Sequence, residues 1–178
     1  MKWTRVGSLS TPSMSVHMIG DDMELKRIID EHEGFVKFML KKQDEIAPMI
    51  IFQKDGKKFI NMINGAGREH IKFLLNKMSD FKPEWLVFLS EGYMEKHDLK
   101  KEDTEQIKKN YVQGTLEMQF KMGNPNVSEV ITISAYSPTG KLQRVLDKKT
   151  MKNTYGDTTE FEGFLTVSDV DRVFWNKT

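Results

Sequence analysis

Cysteine is missing from this chain altogether. That absence excludes disulfides, thiolate nucleophiles, Cys-ligated zinc and iron–sulfur clusters in one step. Long apolar runs are missing as well, and nothing nears the ~18 consecutive apolar residues that a membrane-spanning helix requires. The first 20 residues, MKWTRVGSLSTPSMSVHMIG, hold no apolar stretch of the ~7–15 residues a signal peptide needs. An excess of one charge is the third absence. Lys and Arg total 27 against 26 Asp and Glu, which gives no electrostatic reason to expect a nucleic acid or an anionic membrane as partner. These absences together predict a soluble, cytoplasmic protein that works without a cofactor.

What remains is an ordinary globular composition, 38% hydrophobic and 30% charged over 178 residues. A chain of that size can bury about two thirds of its unfolded surface. Residues 1–20 are rich in Ser, Thr, Met and Gly without any period, and read as a flexible N-terminal arm. Residues 21–178 read as a single α+β domain.

Asp21-Asp22 can cap a helix, after which Leu25, Ile28, Ile29, His32, Val36, Met39, Leu40 and Gln43 repeat at helical spacing. Acidic residues lead this segment and basic ones close it, as the helix dipole favours, so it is expected to end near Gln43 to Glu45. Then comes MIIFQKDGKKFINMI. Asp55-Gly56 supplies the positive-φ pair of a two-residue turn, which pairs Lys54 with Lys57, Phe52 with Phe59, Ile51 with Ile60 and Met49 with Met62. Both faces of this hairpin are apolar at its base, so it is expected inside a sheet covered on two sides rather than at an edge.

Ile71, Leu74, Leu75 and Met78 mark a second amphipathic helix that stops before Pro83, and a strand is expected over 84–90. The charged stretch from Glu95 to Gln113 reads as a solvated connector. Leu116, Met118, Phe120 and Met122 alternate with polar residues and predict a half-buried strand. Val130–Tyr136, Leu142–Asp147 and Phe161–Val167 are further strand candidates, separated by Gly- and Pro-containing turns. Ser168 could cap a short helix through Val173, Phe174 and Trp175, with a final strand equally compatible. The order is helix, hairpin, helix, strand and then an antiparallel meander, with helices packed on one mixed or antiparallel sheet.

Motifs for chemistry are sparse. Asn64-Gly65-Ala66-Gly67-Arg68 lacks both phosphate-loop spacings and reads as a strand-to-helix turn. The histidines at 17, 32, 70 and 97 form no metal-ligand pair, and His32, on an apolar helix face, reads as a satisfied core residue. Ser90 has no elbow motif and no recognisable histidine partner. A carboxylate-only site needs just two acidic groups brought together, and Asp44, Glu45, Glu84 and Glu91 are the candidates near strand ends. Glu91, just past an apolar strand, is the leading catalytic candidate, with Glu45 or Asp44 beside it. Its structural alternative is a turn, Ser90-Glu91-Gly92, with the carboxylate holding backbone amides. Lys54, Lys57 and Lys58 at the hairpin tip, near Lys41, Lys42, Phe52 and Phe59, would be the residues of any nucleic-acid contact, but lysines flanking a solvated turn explain them better. The periodic methionines at 39, 78, 118 and 122 read as core filler.

The run Asp44-Glu45-Ile46-Ala47-Pro48-Met49-Ile50-Ile51, then Asp55-Gly56, a helix and Val87-Phe88-Leu89-Ser90-Glu91-Gly92-Tyr93-Met94 resembles a family of uncharacterised small proteins from phages, archaea and bacterial mobile elements. In that family an apolar strand follows a Pro-Met pair and a later strand ends in Ser-Glu-Ala-Trp or a close variant. Gly92 and Tyr93 stand here for the small residue and the aromatic, and the match spans about residues 22–95. The resemblance implies a viral or mobile-element context but no activity, and it singles out Ser90, Glu91 and Tyr93. The element order is also similar to the cytidine-deaminase and JAB-type layouts, yet the metal-binding motifs of both are absent. Two functional expectations follow: a non-enzymatic accessory or interaction domain binding a protein partner or a second copy, or a metal-assisted hydrolase or nuclease built on carboxylates around Glu91.

Overall fold

A computed structural model describes residues 19–63, 68–95, 115–153, 156–158 and 173–174. The expected N-terminal arm, the Asn64–Gly67 turn, the connector and the strand over 161–167 fall almost wholly outside these residues. The elements run α1 (Ile19–Leu40), β1 (Met49–Lys54), β2 (Lys57–Met62), α2 (Arg68–Phe81), β3 (Trp85–Glu95), α3 (Thr115–Lys121), β4 (Val127–Ser137), β5 (Gly140–Asp147) and β6 (Asp157–Thr158). The strands form one sheet in the order β2-β1-β3-β4-β5-β6, antiparallel throughout. The fold is α+β, as the element order predicts.

The hairpin register is the one the Asp55-Gly56 turn dictates, with Lys54 opposite Lys57, Phe52 opposite Phe59 and Met49 opposite Met62. Asp55 and Gly56 take φ values of 51° and 76°, the left-handed pair that matches the twist of the flanking strands. Alternation along the central strands then sorts side chains to two faces. Met49, Ile51, Trp85, Val87, Leu89, Ile131, Ile133 and Leu146 meet Leu25, Ile28, Ile29 and Val36 of α1 on one side. Ile50, Phe52, Leu86, Phe88 and Tyr136 meet Ile71, Leu75 and Met78 of α2 on the other, joined by Val173. His32 completes the α1 stripe: it is buried, donates from Nδ1–H to the Ile28 carbonyl at 2.7 Å and meets the Trp85 ring edge-on at 5.3 Å.

Arg144 pins α1 to the far end of the sheet. Nearly buried, it grips Asp157 with Nε and Nη2 at 2.7 and 2.8 Å, while Nη1 reaches Asp30 at 2.7 Å and Glu33 at 3.3 Å. The forked hydrogen bonds to Asp157 raise its pKa against the opposing effect of burial, so the charge is permanent.

Four expectations change. Helix α1 begins at Ile19, ahead of Asp21-Asp22, and ends at Leu40, short of Gln43. The hairpin does not lie wholly inside the sheet. β1 is interior and buried, but among the described residues β2 is an edge strand, with its residues almost all exposed. Leu116 to Lys121 lie in the helix α3, with Met122 just past its end, and form no strand. Seven residues are too few to separate periods, and this helix buries Leu116 while leaving Met118 and Met122 exposed, so those methionines are not core filler. It closes as a Schellman motif. Asn124 N–H bonds Gln119 O at 2.9 Å and Gly123 N–H bonds Phe120 O at 3.0 Å, with Gly123 at φ 88°. Finally, β3 does not stop at Ser90 but continues to Glu95, paired residue by residue with β4.

Candidate functional site

The extension of β3 decides what Ser90, Glu91, Gly92 and Tyr93 can do. They do not make a turn; they alternate across the sheet opposite Thr132, Ile131, Val130 and Glu129. Ser90 therefore points away from Glu91 and Tyr93. It is fully buried on the α2 side, in a polar row with Thr132, Ser134 and Gln143. Gln143 Nε2 donates to Ser134 Oγ at 3.0 Å, while Thr132 Oγ1 and Gln143 Oε1 have no hydrogen-bond partner among the described residues.

Glu91 lies on the α1 side, beyond the C-terminal end of α1. Its Oε1 accepts the Ile46 backbone N–H at 2.7 Å, and its Oε2 accepts from Lys148 Nζ at 3.1 Å. Lys148 also donates to Glu129 Oε1 at 3.3 Å. Burial alone would lower the pKa of Lys148, but the hydrogen bond and charge of Glu91, with the charge of Glu129, outweigh it and raise the pKa. Lys148 is thus a held cation, the opposite of the depressed ammonium that a catalytic amine requires. Both Glu91 oxygens are engaged, one of them by a backbone amide, and the residue sits inside a strand rather than at a turn.

Glu45 and Asp44 belong to the exposed link between α1 and β1, next to the tethered Ile46 amide. Glu84 accepts from Gln53 Nε2 at 2.6 Å across the start of β3, a bond that lowers its pKa. Among the described residues no three His, Asp or Glu side chains are placed to hold a metal ion.

Tyr93 packs its ring 5.5 Å from that of Phe120 on α3, and burial together with the nearby Glu129 and Glu117 charges raises its pKa. Beside it runs an open groove of about 520 Å³ lined by Phe120, Val127, Ser128, Glu129, Asp147, Lys148 and Lys149. Asp147 is spent on the backbone amides of Lys149 and Thr150, so the groove offers a greasy wall and charges that already neutralise one another. Sequence reasoning missed Lys148, because its partners lie 57 and 19 residues away and no local spacing reveals them.

The three hairpin lysines do not act together. Lys54 Nζ donates to the Lys82 carbonyl at 3.4 Å, Lys58 meets Glu31 at 3.6 Å and lies over the Trp85 ring, and Lys57 is exposed. Phe52 is buried and stacked on Phe59 with centroids 5.0 Å apart, which removes it from any base-stacking surface.

The other unusual surface is the β2 edge itself. Ile63 N–H bonds Pro48 O at 2.8 Å, and Glu84 N–H bonds Gln53 O at 2.8 Å. Alternation from these two bonds turns the backbone groups of Phe59 and Asn61 toward β1 and those of Lys58, Ile60 and Met62 outward. On this open edge Phe59, Ile60 and Met62 are 44%, 52% and 47% exposed. Phe81 at the end of α2 lies 6.3 Å from Phe52 and is 56% exposed, extending the apolar surface on Phe59's side.

Comparison with family models, with curated proteins and with solved structures gives no match for this chain. No described helix is long and apolar enough to cross a membrane.

Proposed function

We propose that this chain is a non-enzymatic interaction domain that takes up an extended strand along β2. One observation carries the reading: an edge strand with outward-facing backbone donors and acceptors at Lys58, Ile60 and Met62 and apolar side chains on both faces. Proteins ordinarily blunt such edges with charge, proline or a bulge, because an open ladder recruits further strands. Here Lys57 and Lys58 occupy the tip end of β2, and among the described residues no charge, proline or bulge interrupts the ladder from Phe59 to Met62. Strand addition draws affinity from main-chain hydrogen bonds and specificity from alternate side chains, and this edge offers both. The Glu91 surroundings favour no hydrolytic reading, since the carboxylate is engaged by an amide and a lysine.

Peptides selected from a random library on the full chain should have alternating apolar sequences. Their affinity should drop at least ~10-fold in Ile60→Pro, which deletes one outward N–H and no bond to β1. A library that yields no binder sensitive to substitutions in β2 overturns the reading.

A further inference from the structure

We infer that the strand received at this edge is β2 of a second copy, paired antiparallel about a two-fold axis through Ile60. The inference rests on the strand-uptake reading above and names its partner. A two-fold axis perpendicular to a sheet keeps each side chain on its own face, so residues facing across the new interface must share parity. Outward-pointing groups must also meet outward-pointing groups for hydrogen bonds to form. Both conditions select the even-numbered residues of β2, because Ile63 N–H to Pro48 O turns the odd-numbered ones inward. With the axis at Ile60, Ile60 faces Ile60 of the second copy and Lys58 faces Met62 of the second copy. Every outward N–H and C=O of Lys58, Ile60 and Met62 then finds a partner.

An axis at Phe59 or Asn61 keeps the same parity but leaves Met62 or Lys58 without a partner within β2, and charge selects among the remaining registers. An axis at Lys58 would place two ammonium groups directly opposite each other, a repulsive arrangement. An axis at Met62 would run most of each strand past the end of the other. The Ile60 register avoids both, and it sends the hairpin tips with Lys54 and Lys57 to opposite ends of the joint. Phe59 faces Asn61 of the second copy on the α2 side, with Phe81 flanking it, while Ile60 and Met62 fill the α1 side. A specific interface needs about 1,000 Å² in total with an apolar centre, and these four side chains, doubled by the axis, supply that centre. The two six-stranded sheets merge into one.

The chain's lack of cysteine gives a direct test. Opposed residues of a hydrogen-bonded antiparallel pair lie ~5.5 Å apart between Cα atoms, within disulfide range. Ile60→Cys should therefore oxidise to a covalent dimer far faster than Lys149→Cys. In sedimentation the unaltered chain should reach a dimer at micromolar concentration. Ile60→Lys should raise the dimer Kd by about 100-fold or more, with the melting temperature of the monomer, measured well below that Kd, unchanged. A chain that stays monomeric to ~1 mM overturns the inference, and if Ile60-dependent peptides still bind it, strand uptake stands and only the second copy is wrong. A dimer that persists in Ile60→Lys, with no preferential cross-link at position 60, overturns it as well.

Discussion

His32 shows how much a single side chain can commit. Its ring is enclosed between α1 and Trp85, its Nδ1–H is given to the Ile28 carbonyl, and burial lowers its pKa from 6.5. Lys58 pushes it the same way, while Glu31 and the Ile28 bond oppose the shift. A depressed pKa in the folded state means that the unfolded chain takes the proton first as pH falls. Stability is then complete above the unfolded value of about 6.5 and declines below it, by at most about 1.4 kcal/mol per pH unit, until the folded ring also titrates. Urea unfolding at pH 7.5, 6.5 and 5.5 should show this extra decline in the natural chain and a shallower one in His32→Gln. Equal slopes in the two proteins would remove the histidine from the account. Position 32 was legible from sequence because helical spacing alone placed it on the apolar face. Glu91 was legible only as a choice between roles, because its partners Ile46 and Lys148 lie 45 and 57 residues away.

At the scale of elements, the two short helix ends are opposites. Gly123 closes α3 with φ at 88°, whereas Lys82 follows α2 with φ at 48° and donates its N–H to Met78 O at 3.1 Å. The left-handed conformation costs an L side chain about 1 kcal/mol and glycine almost nothing. Gly123→Ala should therefore destabilise by about 1 kcal/mol, through backbone strain alone, since a Cβ there meets nothing within 4 Å. Lys82→Gly should stabilise by about 0.5–1 kcal/mol, with the Lys54 bond to the residue-82 carbonyl retained. Denaturant midpoints with unchanged m-values check both, and a shift of the wrong sign in either refutes the backbone argument for that end. Helix α3 also shows why elements mislead: Leu116, Met118, Phe120 and Met122 alternate as a strand would. The informative signals were Gly123 and the Glu117–Lys121 pair, which meets at 3.3 Å at helical spacing. For β3, the apolar run up to Leu89 announced a strand, but Ser90 and Glu91 concealed its second half. A charge in a strand interior is tolerated only where distant groups satisfy it.

Across the whole molecule the sheet is protected unevenly, and amide exchange can read the pattern. β3 and β4 lie between paired neighbours and between two side-chain layers, so their amides should exchange last, through global opening. β2 has one neighbour among the described residues, and its amides should divide by parity. Phe59 and Asn61 donate to β1 and should be protected in any state of assembly. Lys58, Ile60 and Met62 point outward and should exchange freely in a monomer such as Ile60→Pro or Ile60→Lys, leaving Lys58 and Met62 as reporters. In the unaltered chain at concentrations where β2 pairs with a second β2, the same two amides should slow while those of β3 and β4 stay unchanged. The odd–even contrast tests the strand geometry, and its loss with rising concentration tests the pairing. The sequence could not show this asymmetry, because both strands of the hairpin are apolar on both faces. Only the docking of β3 on β1 leaves β2 outside.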